Sequence, residues 1–283
     1  MSRARGACAE MERQSPFGLE GAGTMVVDLQ ELGRRMLADF DDRTPGRRLA
    51  EPLDLTTVQA YALQAEIARL REERREKVIG YKVGCTSRAI QAQLGVNEPI
   101  FGRLFDTGCL RSGARLSCAR FANLAVEGEL AVRLSKDLSG ESLSADECRE
   151  AFDEMLPVIE LHHYVLPAVW PRGQWLIASG GMHAGFVLAE RQTHGSGQPT
   201  CARSLSVRIN DVAVGSVTDF ASLPSPVESL RWLAARLEQF GLQLRKGQVI
   251  LTGSPLNLFP ISAASRIVVE APPLGASRAE IDP

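Results

Sequence analysis

A chain of 283 residues can bury a large core, as one big domain or two modest ones, and its 45% hydrophobic and 23% charged residues are the balance of an ordinary globular protein. The 32 Lys and Arg against 34 Asp and Glu leave a net charge of -2 with no basic block, which argues against a nucleic-acid partner held through phosphates. No stretch approaches about 18 uninterrupted apolar residues, so no membrane span is expected, and six scattered cysteines without a CxxC pair read as reduced thiols in a cytoplasm.

Residues 1–24 mix Arg, Glu, Gly and Ser without periodicity and read as a flexible N-terminal tail with no secretory signal; Met25 is a candidate natural start. Residues 25–283 then read as one domain, mainly helical over 25–100 and strand-rich over 101–283. A first helix is expected over Val27–Asp39. A second follows the capping pair Thr56 and Gln59, with Val58, Ala62, Ala65 and Ala68 on its apolar stripe. The charged run Glu72 to Lys77 reads as a solvated face. Val78–Val83 is a buried strand, and Ser87–Leu94 a short helix stopped by Gly95.

Beyond Phe101 short β-like runs dominate: Ala125–Leu134, Pro157–Leu161, Ser204–Ile209, Val212–Val217, Gln248–Leu251 and Ile267–Glu270. Asn210 and Asp211 between two of them signal a hairpin. Two helices intervene, opened by the capping boxes Ser144/Glu147 and Ser225/Glu228. The second carries Pro226 at its first position, an apolar stripe of Val227, Leu230, Leu233, Leu237 and Phe240, and Gly241 at its end. There is no GxGxxG, GxxxxGK[ST] or GxSxG, which argues against dinucleotide, P-loop and serine-hydrolase chemistry.

The most informative stretch is Val126-Glu127-Gly128-Glu129-Leu130. On a strand, Glu127 and Glu129 share one face about 6.6–7 Å apart at the backbone, and carboxylates that close repel unless a cation or proton lies between them. Gly128 leaves the other face open to close packing. Glu160 is a lone acid in the apolar run Pro157–Leu161, where an unpaired charge is costly. Three glutamates from two strands make an all-oxygen site suited to Mg²⁺ or Mn²⁺ and not to zinc. Equally open on spacing alone, Glu127 and Glu129 are the wet face of an amphipathic strand and Glu160 pairs with an Arg.

Lys82 lies in the glycine-flanked strand Gly80-Tyr81-Lys82-Val83-Gly84, as a functional cation or as a lysine on an edge strand. Thr252-Gly253-Ser254-Pro255 follows an apolar strand and offers hydroxyls and backbone N–H groups as a carboxylate cradle. Of the histidines, His162 and His163 follow Glu160 directly, and a polar strand end is favoured over ligation for them.

With these residues on the page, the sequence resembles the 2-keto-4-pentenoate hydratase and 4-oxalocrotonate decarboxylase family of the fumarylacetoacetate hydrolase superfamily. The resemblance is carried by Gly80-Tyr81-Lys82-Val83-Gly84-Cys85-Thr86-Ser87, Gln91-Ala92-Gln93-Leu94-Gly95-Val96 and Pro99-Ile100-Phe101-Gly102. It continues through Val126–Glu129, Ile159-Glu160, Gly185–Leu188 and Gly247–Ser254. It implies an α+β fold, a helical N-terminal part with a mixed β-roll body of that superfamily's C-terminal-domain type. It further implies Mg²⁺ or Mn²⁺ on Glu127, Glu129 and Glu160, Lys82 as the active-site lysine, and Leu94, Thr252 and Ser254 at the substrate. The implied partner is a small-molecule 2-oxo acid, in a cytoplasmic homo-oligomer without nucleic acid or membrane.

Two departures stand out. The family's Asp-Ser-Arg run is replaced by His163-Tyr164-Val165, and its Asp-Asn pair by Ser179-Gly180. His163 or His183 is the expected substitute acid/base. The activity expected is a metal-dependent hydratase of a 2-hydroxyalka-2,4-dienoate. The alternatives are decarboxylation of a 2-oxo-dicarboxylate such as 4-oxalocrotonate, for which no cation for the distal carboxylate is evident, and a diverged non-catalytic scaffold.

Overall fold

The structure, a computed structural model, describes residues 27–49, 53–167, 172–190, 201–218 and 225–283, so the expected tail over 1–24 lies outside it. Asp28 accepts hydrogen bonds from the N–H groups of Gln30 and Glu31 and so opens helix α1 (Leu29–Asp42), which runs past the expected Asp39 to a left-handed cap at Arg43. The Thr56/Gln59 capping box opens α2 (Thr57–Glu73). Its buried face differs from the expected stripe: Val58 and Ala65 are exposed, while Ala60, Tyr61, Leu63, Gln64 and Ala68 are buried. Large Tyr61 and Leu63 dominate this choice, because they bury more area than alanines can.

Strand β1 (Val78–Gly84) is followed by helix α3 (Arg88–Leu94), capped by Ser87 and ended by left-handed Gly95 as the sequence suggests. Then come β2 (Ile100–Phe105), β3 (Cys109–Arg111), β4 (Ala114–Ser117), β5 (Leu124–Leu134), α4 (Ala145–Arg149), β6 (Phe152–His163), α5 (Arg172–Ala178) and β7 (His183–Leu188). The chain closes with β8 (Leu205–Ile209), β9 (Val212–Val217), α6 (Pro226–Glu238), β10 (Val249–Leu251), β11 (Phe259–Pro260), β12 (Ser265–Glu270) and β13 (Ala276–Asp282). Both expected capping boxes form at α4 and α6. Asn210 and Asp211 take positive φ and turn β8 into β9.

The larger sheet has the order β2-β1-β10-β5-β6-β7-β3, with β11 also on β5, and mixes parallel with antiparallel pairs. The smaller has the order β4-β13-β12-β8-β9. Between them Val126, Leu130, Ile159 and Leu161 pack on Val207, Ile267, Val269 and Ile281. Gly128 is the point of closest approach. A Cβ there would stand 2.5 Å from Val207 Cγ2, so the open face expected of this glycine is filled by the second sheet.

The other face of the larger sheet curls inward around Leu104, Ala131, Leu156, Val158, Phe186, Val249 and Leu251. The helices cover the remaining flank, where Leu63, Phe101, Trp175, Leu230 and Leu233 form the largest cluster. The fold is therefore α+β with a curled mixed sheet. Its N-terminal helical part is tied into the sheet, since β1 pairs with both β2 and β10. Among the described residues no helix is long and apolar enough to cross a membrane.

Candidate metal centre

Strands β5 and β6 pair Glu127 directly with Glu160, and Glu129 follows two residues along the same face of β5. Opposed carboxylates are unfavourable in a bare strand pair. Lys82 answers part of that charge: Tyr81, Lys82 and β10 place it across the curl, and its Nζ donates to Glu160 Oε1 at 2.5 Å. Neither end of this pair is more than 4% exposed. Burial pulls the Lys82 ammonium down, but Glu160, Glu129 and Glu127 outweigh it and hold it above its ordinary value. Lys82 is thus on an interior strand, not an edge, and is charged.

Glu160 accepts also from His183, whose Nδ1–H lies 2.8 Å from the same Oε1. Burial opposes its ionisation, yet Lys82 and the neighbouring histidines hold it well below the usual carboxylate range. Glu129 goes the other way. Burial and the charges of Glu160 and Glu127 push it well up, although Gly253 N–H donates to its Oε2 at 3.0 Å. Three acidic side chains share one ammonium, a crowding that adds to burial in pushing Glu129 up when no further cation is present, and Glu160 Oε2 is buried with no hydrogen-bond partner. Both observations fit a divalent cation. The donor atoms that converge within 4.8 Å of one another belong to Glu127, Glu160 and His162; Glu129 lies outside that set.

The three histidines of this region have separate fates. His162, on the same face as Glu160, reaches the carboxylates, its Nε2 lying 3.2 Å from Glu127 Oε2. His163 points the other way and is no neighbour of Lys82 or the glutamates. Ala122 N–H donates to its Nδ1 at 2.8 Å, which leaves the proton on Nε2 to donate to Phe40 O at 2.9 Å. His183 is at the site, but its ring is tied to Glu160, and burial lowers its basicity.

Glu127, Glu129 and Lys82 open into a cavity of about 280 Å³, with fully buried Glu160 behind them. Its remaining walls include Ile90, Leu94, Ile100, Leu176 and Met182, with Ser87, Gln93 and Ser254 as polar points. Among the described lining residues Lys82 is the one Lys or Arg. Cys85 is also there, but burial pushes its thiol up to about 11, so it is no nucleophile at neutral pH. Left-handed Gly180, Gly181 and Met182 bend the chain from α5 into β7 over Lys82, where a Cβ on Gly181 would stand 3.2 Å from Nζ. This turn occupies the expected Ser179-Gly180 departure, with Ser179 Oγ donating to Leu176 O and accepting from Met182 N–H.

The loop after β10 turns its hydroxyls onto β5 and its Gly253 N–H onto Glu129. Thr252 Oγ1 donates to Leu130 O and Ser254 Oγ to Gly128 O, so both hydroxyls pin the loop to β5. Ser254 lines the cavity, whereas Thr252 lines an adjoining one of about 310 Å³ that shares Ser87, Ile90 and Ser254.

Fold and site together define a class: a curled-sheet enzyme that gathers acidic side chains and one buried lysine at a small cavity of mixed polar and apolar lining. No family model matches the chain. It is 31% identical over 234 residues to 2-hydroxyhexa-2,4-dienoate hydratase of Comamonas testosteroni, covering 82% of this chain and 86% of that protein. It is 30% identical over 245 residues to 2-keto-4-pentenoate hydratase of Burkholderia vietnamiensis, covering 87% and 90%. A solved structure of 4-oxalocrotonate decarboxylase from Pseudomonas putida, complexed with magnesium and adipate, superposes with a TM-score of 0.82 at 23% identity, over 92% of this chain and 100% of that one. The chain belongs to the 2-keto-4-pentenoate hydratase and 4-oxalocrotonate decarboxylase family, whose members are lyases.

Proposed function

We propose that this protein is a divalent-metal-dependent hydratase that adds water to a 2-hydroxyalka-2,4-dienoate with an uncharged tail, giving a 4-hydroxy-2-oxoalkanoate. Glu127, Glu129 and Glu160 would hold the cation, for which Mg²⁺ and Mn²⁺ are the candidates; a relative in this family of folds was solved with magnesium. Bound there, it would supply Lewis-acid stabilisation of charge developing on the 2-oxygen as the dienol becomes the ketone.

The chain's own residues do the rest. Lys82, kept charged by Glu160, presents an ammonium to the same end of the substrate and acts as a donor, not as a base. His183 orients Glu160 through Nδ1–H and is a positioning residue. Gly253 N–H fixes Glu129, and the Thr252 and Ser254 hydroxyls hold that loop in place. Ile90, Leu94, Leu176 and Met182 shape the region into which the substrate's chain would extend. Water then adds at C4, conjugate to the new carbonyl.

The observation that carries the hydratase over the diacid decarboxylase is that the mixed polar and apolar lining holds, among the described residues, no Lys or Arg besides Lys82, which is already paired with Glu160. A distal carboxylate set against Leu94, Ile100 and Leu176 would lose hydration with no further described cation to replace it. The convergence of buried acids and Lys82 on an open cavity likewise argues for an enzyme over an inert scaffold. The test offers 2-hydroxypenta-2,4-dienoate and 4-oxalocrotonate side by side, with products read by NMR. The expected result is a 4-hydroxy-2-oxo product from the monoacid and turnover of the diacid lower by at least roughly tenfold, the worth of one unpaired buried charge or more. Faster release of CO₂ from the diacid would reverse the assignment.

A further inference from the structure

We propose that His162 is itself a metal ligand, so that the centre is a mixed nitrogen–oxygen site that selects Mn²⁺ and related transition-metal divalents over Mg²⁺. This rests on the metal-dependent reading above and refines which cation the site is built for.

His162 lies two residues beyond Glu160 on β6, which puts both side chains on one face, and its pairing with Ala125 sets it beside the Glu127–Glu160 pair. Its Nε2 stands 3.2 Å from Glu127 Oε2 and 3.6 Å from Glu160 Oε2. Ligands at right angles around one ion with bonds of about 2.1 Å lie about 3 Å apart, so this is the spacing of neighbouring ligands on a single cation.

Hydrogen bonding by His162 does not account for the arrangement. One ring N–H can serve Glu127, but 3.6 Å is too long for a bond to Glu160. Glu160 Oε2 is left buried and unpartnered. A cation among Glu127, Glu160 and Nε2 satisfies the orphaned oxygen and uses all three donors at once. Lys82 does not fill that role, because it serves Glu160 through the other oxygen, Oε1.

The donor set decides the metal class. Mg²⁺ takes oxygen ligands and gains little from imidazole, whereas Mn²⁺, Fe²⁺, Co²⁺ and Zn²⁺ accept it readily. On this proposal the centre differs from the all-oxygen site expected from the glutamates alone, and His162 is more than a polar strand end.

The experiment uses the full chain stripped of metal and loaded with Mn²⁺, prepared with natural-abundance and with ¹⁵N-labelled histidine, and read by pulsed electron paramagnetic resonance. The expected result is a histidine nitrogen coupling that changes with the label and disappears in His162→Gln but persists in His183→Gln. Calorimetric titration should show the Mn²⁺-over-Mg²⁺ preference falling by roughly tenfold in His162→Gln. Bound Mn²⁺ without histidine coupling in the labelled wild type, or coupling that survives His162→Gln, overturns the proposal and leaves the metal-dependent reading standing. No Mn²⁺ binding by the wild type overturns both. The wild-type spectra need no variant, so misfolding of His162→Gln cannot mask the answer.

Discussion

Side-chain direction on one strand separates His162 from His163. Alternation along β6 sends His162 toward Glu127 and Glu160, and sends His163 toward α1, between Ala122 N–H and Phe40 O. The two adjacent histidines should therefore fail differently when removed. His163→Ala leaves a buried donor and a carbonyl without their partner and should cost roughly 3 kcal/mol in urea unfolding. Its Mn²⁺ affinity should stay that of the wild type. A loss of Mn²⁺ affinity without a loss of stability would place His163 at the site after all. The sequence marks both residues as candidates because they follow Glu160, but it does not show which way a strand's last residues face. That is set by the pairing of β6 with β5, which runs in register through Ala125–His162 and Leu124–His163.

Helix α2 shows how an element carries the site without touching it. Gln64 donates to Phe101 O and Ile177 O and accepts from Arg103, tying β2 to α5 just behind the cavity wall. One turn earlier, Tyr61 stacks on Phe101 with ring centroids 4.5 Å apart and accepts from Phe101 N–H. Burial is the main reason its phenol is pushed up to about 12. The unfolded chain ionises this group near pH 10, so the folded state keeps the proton longer. Its contribution to stability is complete below pH 10 and is lost as the pH rises toward 12. The wild type should lose on the order of 2 kcal/mol more than Tyr61→Phe between pH 9.5 and 11.5, measured by urea unfolding. Equal losses in the two proteins would show that Tyr61 ionises freely in the fold.

At the scale of the whole molecule, local signals were legible and long-range partners were not. Capping boxes at Thr56, Ser144 and Ser225, the Asn210-Asp211 turn and the Gly95 stop all form as read, because each is settled within a few residues. β13 is not evident in the sequence: of its buried positions Ser277, Ala279 and Ile281 only the last is a large apolar residue, and pairing with β12 and β4 defines it. β6 extends to both ends of β5 beyond its apolar centre for the same reason. The acids of the site were legible since charge in an apolar strand demands an explanation. That Glu129 is held by Gly253 while His162 joins Glu127 and Glu160 depends on strands far apart in the chain.

The account's central claim is that buried acids gather a divalent cation for hydration of a dienol. Its most direct test follows 2-hydroxypenta-2,4-dienoate with metal-stripped protein while Mn²⁺ is added back. Turnover to the 4-hydroxy-2-oxo acid should be absent with EDTA, rise with Mn²⁺ to saturation, and stay near background in Glu160→Gln at every Mn²⁺ concentration. Full hydration by the stripped protein, or by Glu160→Gln, would contradict it.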